Sequence, residues 1–292
     1  MSDEPICTLC RSAGSMLVQV GVRYAVELKV HRCGQCGLVF LWPRPSSAKL
    51  ADYYTQDYRG EYSDLPPDQQ YRLDLDEARL RTKRLLPLIT EKARLLEIGC
   101  GSGAFLDSVR PYCGEVTGVE PHEEYRQVTV ARSNIAVVAS IDELLLGSKR
   151  FDTVAMFHVL EHIEDPVTFL GKVAQVMARD GSLIIEVPSV DDALVSIYKV
   201  PAYLRFYYQK AHLYYFSRPT LARTLEQAGF NTTIDGIQRY DLSNHIHWML
   251  TGQPGGQGYY GDMFSPAVNA AYADALIRAG RSDTLWAIAR RN

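Results

Sequence analysis

The sequence predicts an α/β protein whose main body is a Rossmann-like, doubly wound sheet, with a small zinc ribbon in front of it. Two observations carry this. Residues 95–106, Leu-Leu-Glu-Ile-Gly-Cys-Gly-Ser-Gly-Ala-Phe-Leu, run from an apolar strand through alternating glycines into an amphipathic helix, and strand–helix alternation continues behind them. Cys7-x-x-Cys10 and Cys33-x-x-Cys36, with 22 residues between the pairs, are two knuckles at metal-ligand spacing.

The 292 residues suffice for one large domain and a small one. A hydrophobic content of 47% and a charged content of 22% are ordinary for a globular chain. The net charge of -3 leaves no electrostatic footprint for nucleic acid. No apolar run reaches membrane-spanning length, and Met1-Ser2-Asp3-Glu4 opens no secretory leader. The expectation is a cytoplasmic protein without a membrane partner, whose cysteines are thiols or metal ligands.

Residues 1–45 form the predicted ribbon, with short strands at 16–20 and 24–31. Four thiolates at Cys7, Cys10, Cys33 and Cys36 leave no open coordination position, so the expected Zn2+ is structural. So small a unit has little core, and the metal is expected to supply much of its folding energy. Residues 46–91 are expected to be a helical linker or lid. Ser46 can cap a helix at 48–54, and Tyr53, Tyr54, Tyr58, Tyr62 and Tyr71 make the region aromatic, suited to packing the ribbon on the core or to covering a ligand. A charged amphipathic helix at 68–89 leads into the first strand. If it crosses the site, Gln69, Tyr71 and Arg72 are the residues expected to reach a carboxylate there.

The sheet domain is expected at 92–250. Glycines at 99, 101 and 103 remove side chains that would keep a ligand off the backbone. Their spacing is not Gly-x-Gly-x-x-Gly, and Glu97 at the turn would repel a diphosphate. An acid there suits a cation such as an amino-acid ammonium group. Glu120, closing the next apolar run, can accept both hydroxyls of a ribose. Ammonium at one acid and ribose at the next describe S-adenosylmethionine (SAM). Further strands are expected at 136–139, 151–157, 182–187 and 231–240, and helices at 104–112, 123–132, 166–178 and 219–228. A tail at 251–292 is expected to be helical.

Residues 95–106, then Gly118-Val119-Glu120-Pro121, then 151–166, Phe-Asp-Thr-Val-Ala-Met-Phe-His-Val-Leu-Glu-His-Ile-Glu-Asp-Pro, resemble class I SAM-dependent methyltransferases in motif and order. The resemblance implies a seven-stranded sheet, SAM held by Glu97, Gly99, Gly101, Gly103, Glu120 and Pro121, adenine near Ile141 and Asp142, and Phe157 and His158 facing the cofactor. Asp142 equally suits a helix cap. The N-terminal ribbon, with its Gly-Leu-Val-Phe and proline turn, resembles that of methyltransferases from bacterial surface-sugar and secondary-metabolite clusters.

Residues 189–218 read as an insertion dense in tyrosine and phenylalanine, crossing the carboxyl ends of the strands. It suits a wall for a sugar-like or aromatic acceptor, or a cap that closes the fold. A hydroxyl acceptor needs a base. His158 after the fourth strand, His162 a turn later and His212 in the insertion are the candidate catalytic residues, each with packing as the competing role. The expected function is methyl transfer to a hydroxyl of a sugar, nucleotide sugar or related metabolite. The alternatives are an RNA methyltransferase, against which the charge argues, and a non-catalytic SAM-binding or partner-docking module.

Overall fold

The computed structural model describes residues 4–44 and 65–292. The expected helix at 48–54 and Tyr53, Tyr54, Tyr58 and Tyr62 lie outside the described residues. Two sheets organise the rest. The first is N-terminal and has the order β1-β2-β3-β9, from β1 (Ser15–Val22), β2 (Ala25–Cys33), β3 (Val39–Trp42) and a short β9 (Tyr214–Tyr215).

The second sheet is seven-stranded, in the order β10-β11-β8-β7-β4-β5-β6. Its strands are β4 (Arg94–Ile98), β5 (Glu115–Val119), β6 (Ala136–Val138), β7 (Phe151–Phe157), β8 (Met177–Pro188), β10 (Phe230–Ile237) and β11 (Thr284–Arg291). Strands β4 to β8 pair in parallel, and β11 runs antiparallel to both its neighbours. The central strands are nearly all apolar because helices cover both faces: Leu95, Leu96, Val154, Met156, Leu183 and Ile185 have no measurable exposure. From β4 the chain winds outward through β5 and β6, then returns to place β7 on the other side of β4. That reversal opens a crevice above the carboxyl ends of β4 and β7, where open α/β sheets bind ligands.

Helices are α1 (Pro67–Leu85), α2 (Ala104–Val109), α3 (Glu123–Ser133), α4 (Ile141–Leu145), α5 (Pro166–Val176), α6 (Ala193–Ser196), α7 (Pro201–Tyr207), α8 (Arg218–Gln227), α9 (Leu242–Thr251) and α10 (Pro266–Arg278). Helix α1 crosses the crevice. Ser102 Oγ donates to its Asp74 Oδ2 at 2.6 Å, and its Thr82 Oγ1 donates to Ser108 Oγ at 2.8 Å.

Two expectations need correction. The stretch 251–292 is not only a helical tail. After α10, Thr284–Arg291 becomes β11, inserted between β8 and β10 with Leu285 opposite Val187 and Ala287 opposite both Ile185 and Ile234. The sheet domain is therefore completed by the last strand of the chain, whose Leu285, Ala287 and Ala289 are buried. The ribbon, in turn, is not a separate small unit. Its β3 pairs with β9 from the aromatic insertion, Phe40 opposite Tyr214, and Val39, Phe40 and Leu41 are fully buried in a core continuous with the main body.

Candidate active site

A cavity of about 980 Å³ lies above the carboxyl ends of β4, β5 and β7, under α1. Glu97, Gly99, Gly101, Glu120, Pro121, Ile141, Asp142, Phe157, His158 and His162 all line it. The sequence placed these residues on four separate elements, and the fold brings them to one wall.

The glycine turn earns its composition at Gly99. Its φ is +76°, and a Cβ there would collide with Val159 Cγ2 at 2.5 Å. Gly101 presents its amide to Glu120 Oε2 at 2.8 Å, while His122 N donates to Glu120 Oε1 at 2.9 Å. Two backbone donors thus fix the Glu120 carboxylate, which is buried at the strand end. Gly103 is different. It does not line the cavity; a side chain there would strike Thr129 of α3, so it serves helix packing rather than ligand approach.

Glu97 is buried, and its Oε2 accepts no hydrogen bond among the described residues. Burial pushes its carboxyl up to about 8; Arg81 opposes this and Glu120 and Asp74 reinforce it. An acid in this state has a place for a cationic donor. That is the fit expected for the ammonium group of SAM, with Glu120 held ready for a diol on the neighbouring strand.

Ile141 and Asp142, expected near the adenine, line the cavity beside the end of β6. Asp142 does not cap α4: Ser140 does, in a capping box with Glu143. Asp142 Oδ1 instead takes Lys172 Nζ at 2.8 Å, and both residues line the cavity.

The other end is built of charge that the sequence did not disclose. Arg81 of α1 bridges both oxygens of Glu186 on β8, at 3.0 and 2.9 Å, and its guanidinium lies 4.6 Å from the Phe157 ring centre. Arg239 reaches Glu77 Oε2 at 3.1 Å and Glu186 Oε1 at 3.6 Å. Burial would raise Glu186, yet His158 and Arg81 hold it well below the ordinary carboxylate range. Helix α1 does cross the site, as the sequence allowed, but presents Gln70, Asp74, Glu77 and Arg81 rather than Gln69, Tyr71 and Arg72. Tyr71 packs under Arg132, whose guanidinium is 3.8 Å from its ring centre. The missed signal was an acid inside an apolar strand, Leu183-Ile184-Ile185-Glu186-Val187, the same signature that singled out Glu97.

The three histidines separate. His158, at φ +55°, lines the cavity. Its Nε2 is 3.0 Å from Glu186 Oε1 and 2.8 Å from Arg239 Nη1, and its Nδ1 is 3.4 Å from Glu161 Oε1. Burial and Arg239 lower its pKa, but the two carboxylates outweigh them and the net shift is upward. Its ring nitrogens face Glu186, Arg239 and Glu161 rather than open cavity, a geometry that suits positioning more than the base role expected of His158. His162 lines the cavity and donates from Nδ1 to the Ala211 carbonyl at 2.9 Å. His212 does not reach the cavity. It lies behind His162, ring centres 4.8 Å apart, with Gln209 Nε2 at 2.6 Å from its Nε2, and burial depresses it to about 3.

Of the two roles open to the aromatic insertion, the structure shows the cap and not the ligand wall. Tyr203, Tyr207, Tyr208, Tyr214, Tyr215 and Phe216 are buried and none lines the cavity. They form the layer that joins the N-terminal sheet to the main one. Tyr215 Oη, for example, accepts from Gln209 N at 2.7 Å.

In the N-terminal sheet, the sulfurs of Cys7, Cys10, Cys33 and Cys36 all lie within 4.8 Å of one another. Cys7 and Cys36 sulfurs are 3.5 Å apart, and Cys10 and Cys33 sulfurs 3.4 Å. A tetrahedron of about 2.3 Å Zn–S bonds has edges of about 3.8 Å, so the four thiols fit the ion.

A sheet with one antiparallel strand, a glycine turn at its switch point and acids on two adjacent strand ends define a nucleoside-binding methyltransferase domain. The comparisons with known proteins agree. A family profile described as "Methyltransferase domain" matches residues 70–233, and the chain belongs to that family. A ubiquinone biosynthesis O-methyltransferase from Cereibacter sphaeroides is 31% identical over 108 residues, covering 34% of this chain and 42% of the relative. One from Rhizobium leguminosarum is 28% identical over 173 residues, covering 55% and 68%. The chain thus spans about two fifths of the first of these relatives. A SAM-dependent methyltransferase from Archaeoglobus fulgidus shares the fold, with a TM-score of 0.53 at 20% identity, over 77% of this chain and 97% of that one. Among the described residues no helix is long and apolar enough to cross a membrane.

Proposed function

We propose that the protein transfers the methyl group of SAM to an oxygen of a small polar metabolite, with sugars and nucleotide sugars the favoured class, and that its four cysteines hold a structural Zn2+. One observation carries the SAM reading: a buried Glu97 oxygen without a partner among the described residues, on the same cavity as a Glu120 carboxylate fixed by two amides. A dinucleotide site has no use for the first.

Bound SAM supplies an electrophilic methyl on a sulfonium, open to in-line displacement. Glu97 would hold its ammonium group, Glu120 the ribose, and Ile141 with Asp142 the edge of the adenine. Phe157 at the end of β7 and His158 just past it bound the remaining volume together with Arg81, Arg239 and His162. That remainder is polar and charged, which suits an acceptor rich in oxygen more than a flat hydrocarbon. The O-directed reading also accords with the names of the relatives. Alignment and water exclusion by these walls supply most of what such a displacement requires.

The test is product identification. Purified protein, labelled SAM and a panel of nucleotide sugars, free sugars and phenols are incubated together. Label transferred to a hydroxyl of a sugar-containing member supports the proposal. Label on phenols alone refutes the acceptor class, and absence of SAM binding refutes the function.

A further inference from the structure

Behind the cavity wall lies a second group of ligating side chains. Glu161, His162 and His212 each present a ligand atom within 4.8 Å of the others. Glu161 is 1% exposed, and neither of its oxygens accepts a hydrogen bond among the described residues. His158 Nδ1 stands at 3.4 Å from Oε1, at ion-pair distance but without hydrogen-bond geometry. A buried carboxylate with both oxygens unbonded is strongly disfavoured unless a cation approaches them. The two imidazoles face the same point from different elements: His162 from the turn after β7, His212 from the loop before β9.

We propose that Glu161, His162 and His212 bind one divalent first-row ion, of the Mn2+, Fe2+ or Zn2+ class, distinct from the four-cysteine site. Two imidazoles and one carboxylate suit such ions and leave coordination positions open. His162 also has the second-shell bond typical of a ligand: Nδ1–H donates to the Ala211 carbonyl, which fixes the ring and makes Nε2 its lone-pair nitrogen. Gln209 crosses the nitrogen edge of His212 and must cede one nitrogen on binding.

His162 belongs both to this cluster and to the cavity lining, so the ion would border the acceptor end. This role rests on the proposed O-methylation. A coordinated hydroxyl is more acidic. It releases its proton to solvent, its oxygen forms the bond to the methyl carbon, and the C–S bonding pair stays on sulfur. The ion would thus acidify the hydroxyl directly, beside His162 on the cavity lining.

The test is equilibrium dialysis of the whole protein against millimolar Mn2+, followed by elemental analysis for total bound metal. Wild type should carry one more ion per chain than Glu161→Gln and than His212→Asn, whatever occupies the cysteines. Equal counts in wild type and both variants overturn the proposal. SAM titration of the same samples reports on folding and on the separate question of function. Variants that bind SAM like wild type but have lost one ion, with product formation at least about 10-fold slower, support the site. Product formation unaffected by the loss of that ion overturns its catalytic role while leaving the methyltransferase reading standing.

Discussion

The state of Glu97 makes SAM binding a proton-linked event. With its carboxyl pushed up to about 8, roughly nine in ten molecules carry a proton there at pH 7. Accepting an ammonium group requires the carboxylate, so binding should expel that proton. The ligand's amine, with an ordinary value of about 7.7–8.0, is mostly charged at pH 7 and contributes only a small uptake in the opposite sense. Net release should be about 0.8 proton per SAM at pH 7, pass through zero near pH 8 and become uptake above it. Affinity should accordingly peak near pH 8 and fall about tenfold per unit well below it. Isothermal titration calorimetry in buffers of different ionisation enthalpy measures the release directly. In Glu97→Gln the release should vanish and affinity should drop by about 1.5–3 kcal/mol, the scale of a charged hydrogen bond. Enthalpies that do not depend on buffer at pH 7 in the wild type would refute the placement of the ammonium at Glu97.

Other consequences are as direct. Because Glu97 binds its proton more tightly folded than unfolded, its contribution to the stability of the ligand-free protein should be lost as pH rises from about 4.5 to 8 and level off above; thermal melts in which wild type gains stability relative to Glu97→Gln over this window would contradict it. Glu120→Ala should weaken SAM binding by about 1.5–3 kcal/mol, read by fluorescence titration. Chelating the proposed zinc, or Cys10→Ser, should raise hydrogen exchange over residues 7–36 while leaving β4 to β8 protected, since Val39, Phe40 and Leu41 belong to the main core; global unfolding would contradict that division. Ending the chain before Thr284 should abolish soluble expression, because β8 and β10 lose the strand between them. Glu186→Gln should cost about 3–5 kcal/mol by leaving Arg81 and Arg239 short of a counter-charge, measured by denaturant melts.

Much of the fold was legible because its signals are local. A strand, a glycine turn and a capped helix announce themselves within a dozen residues, as 95–106 did, and metal knuckles need only spacing. Pairing between distant segments has no such signature. Thr284–Arg291 carries Leu-Trp-Ala-Ile-Ala, which suits a strand, but nothing in that stretch says it enters the sheet between β8 and β10. The density of tyrosines in 189–218 suits a ligand wall and a cap equally, and the partner that decides for the cap, β3, lies about 170 residues upstream in sequence. In the site, strand-end acids and glycines were readable from position. Arg81, Glu77 and Arg239 were not, because the face α1 turns to the cavity depends on its docking over α2, and the shift at His158 arises from Glu161 and Glu186, neither of which reveals its orientation in the sequence.

The central claim is that the cavity between β4 and β7 is a SAM site organised by two strand-end acids. A crystal structure of the protein with S-adenosylhomocysteine tests it most directly. The account predicts the amino group within hydrogen-bond distance of Glu97, both ribose hydroxyls on Glu120 and the adenine against Ile141. A ligand bound elsewhere, or bound in this cavity without engaging Glu97 and Glu120, would contradict it.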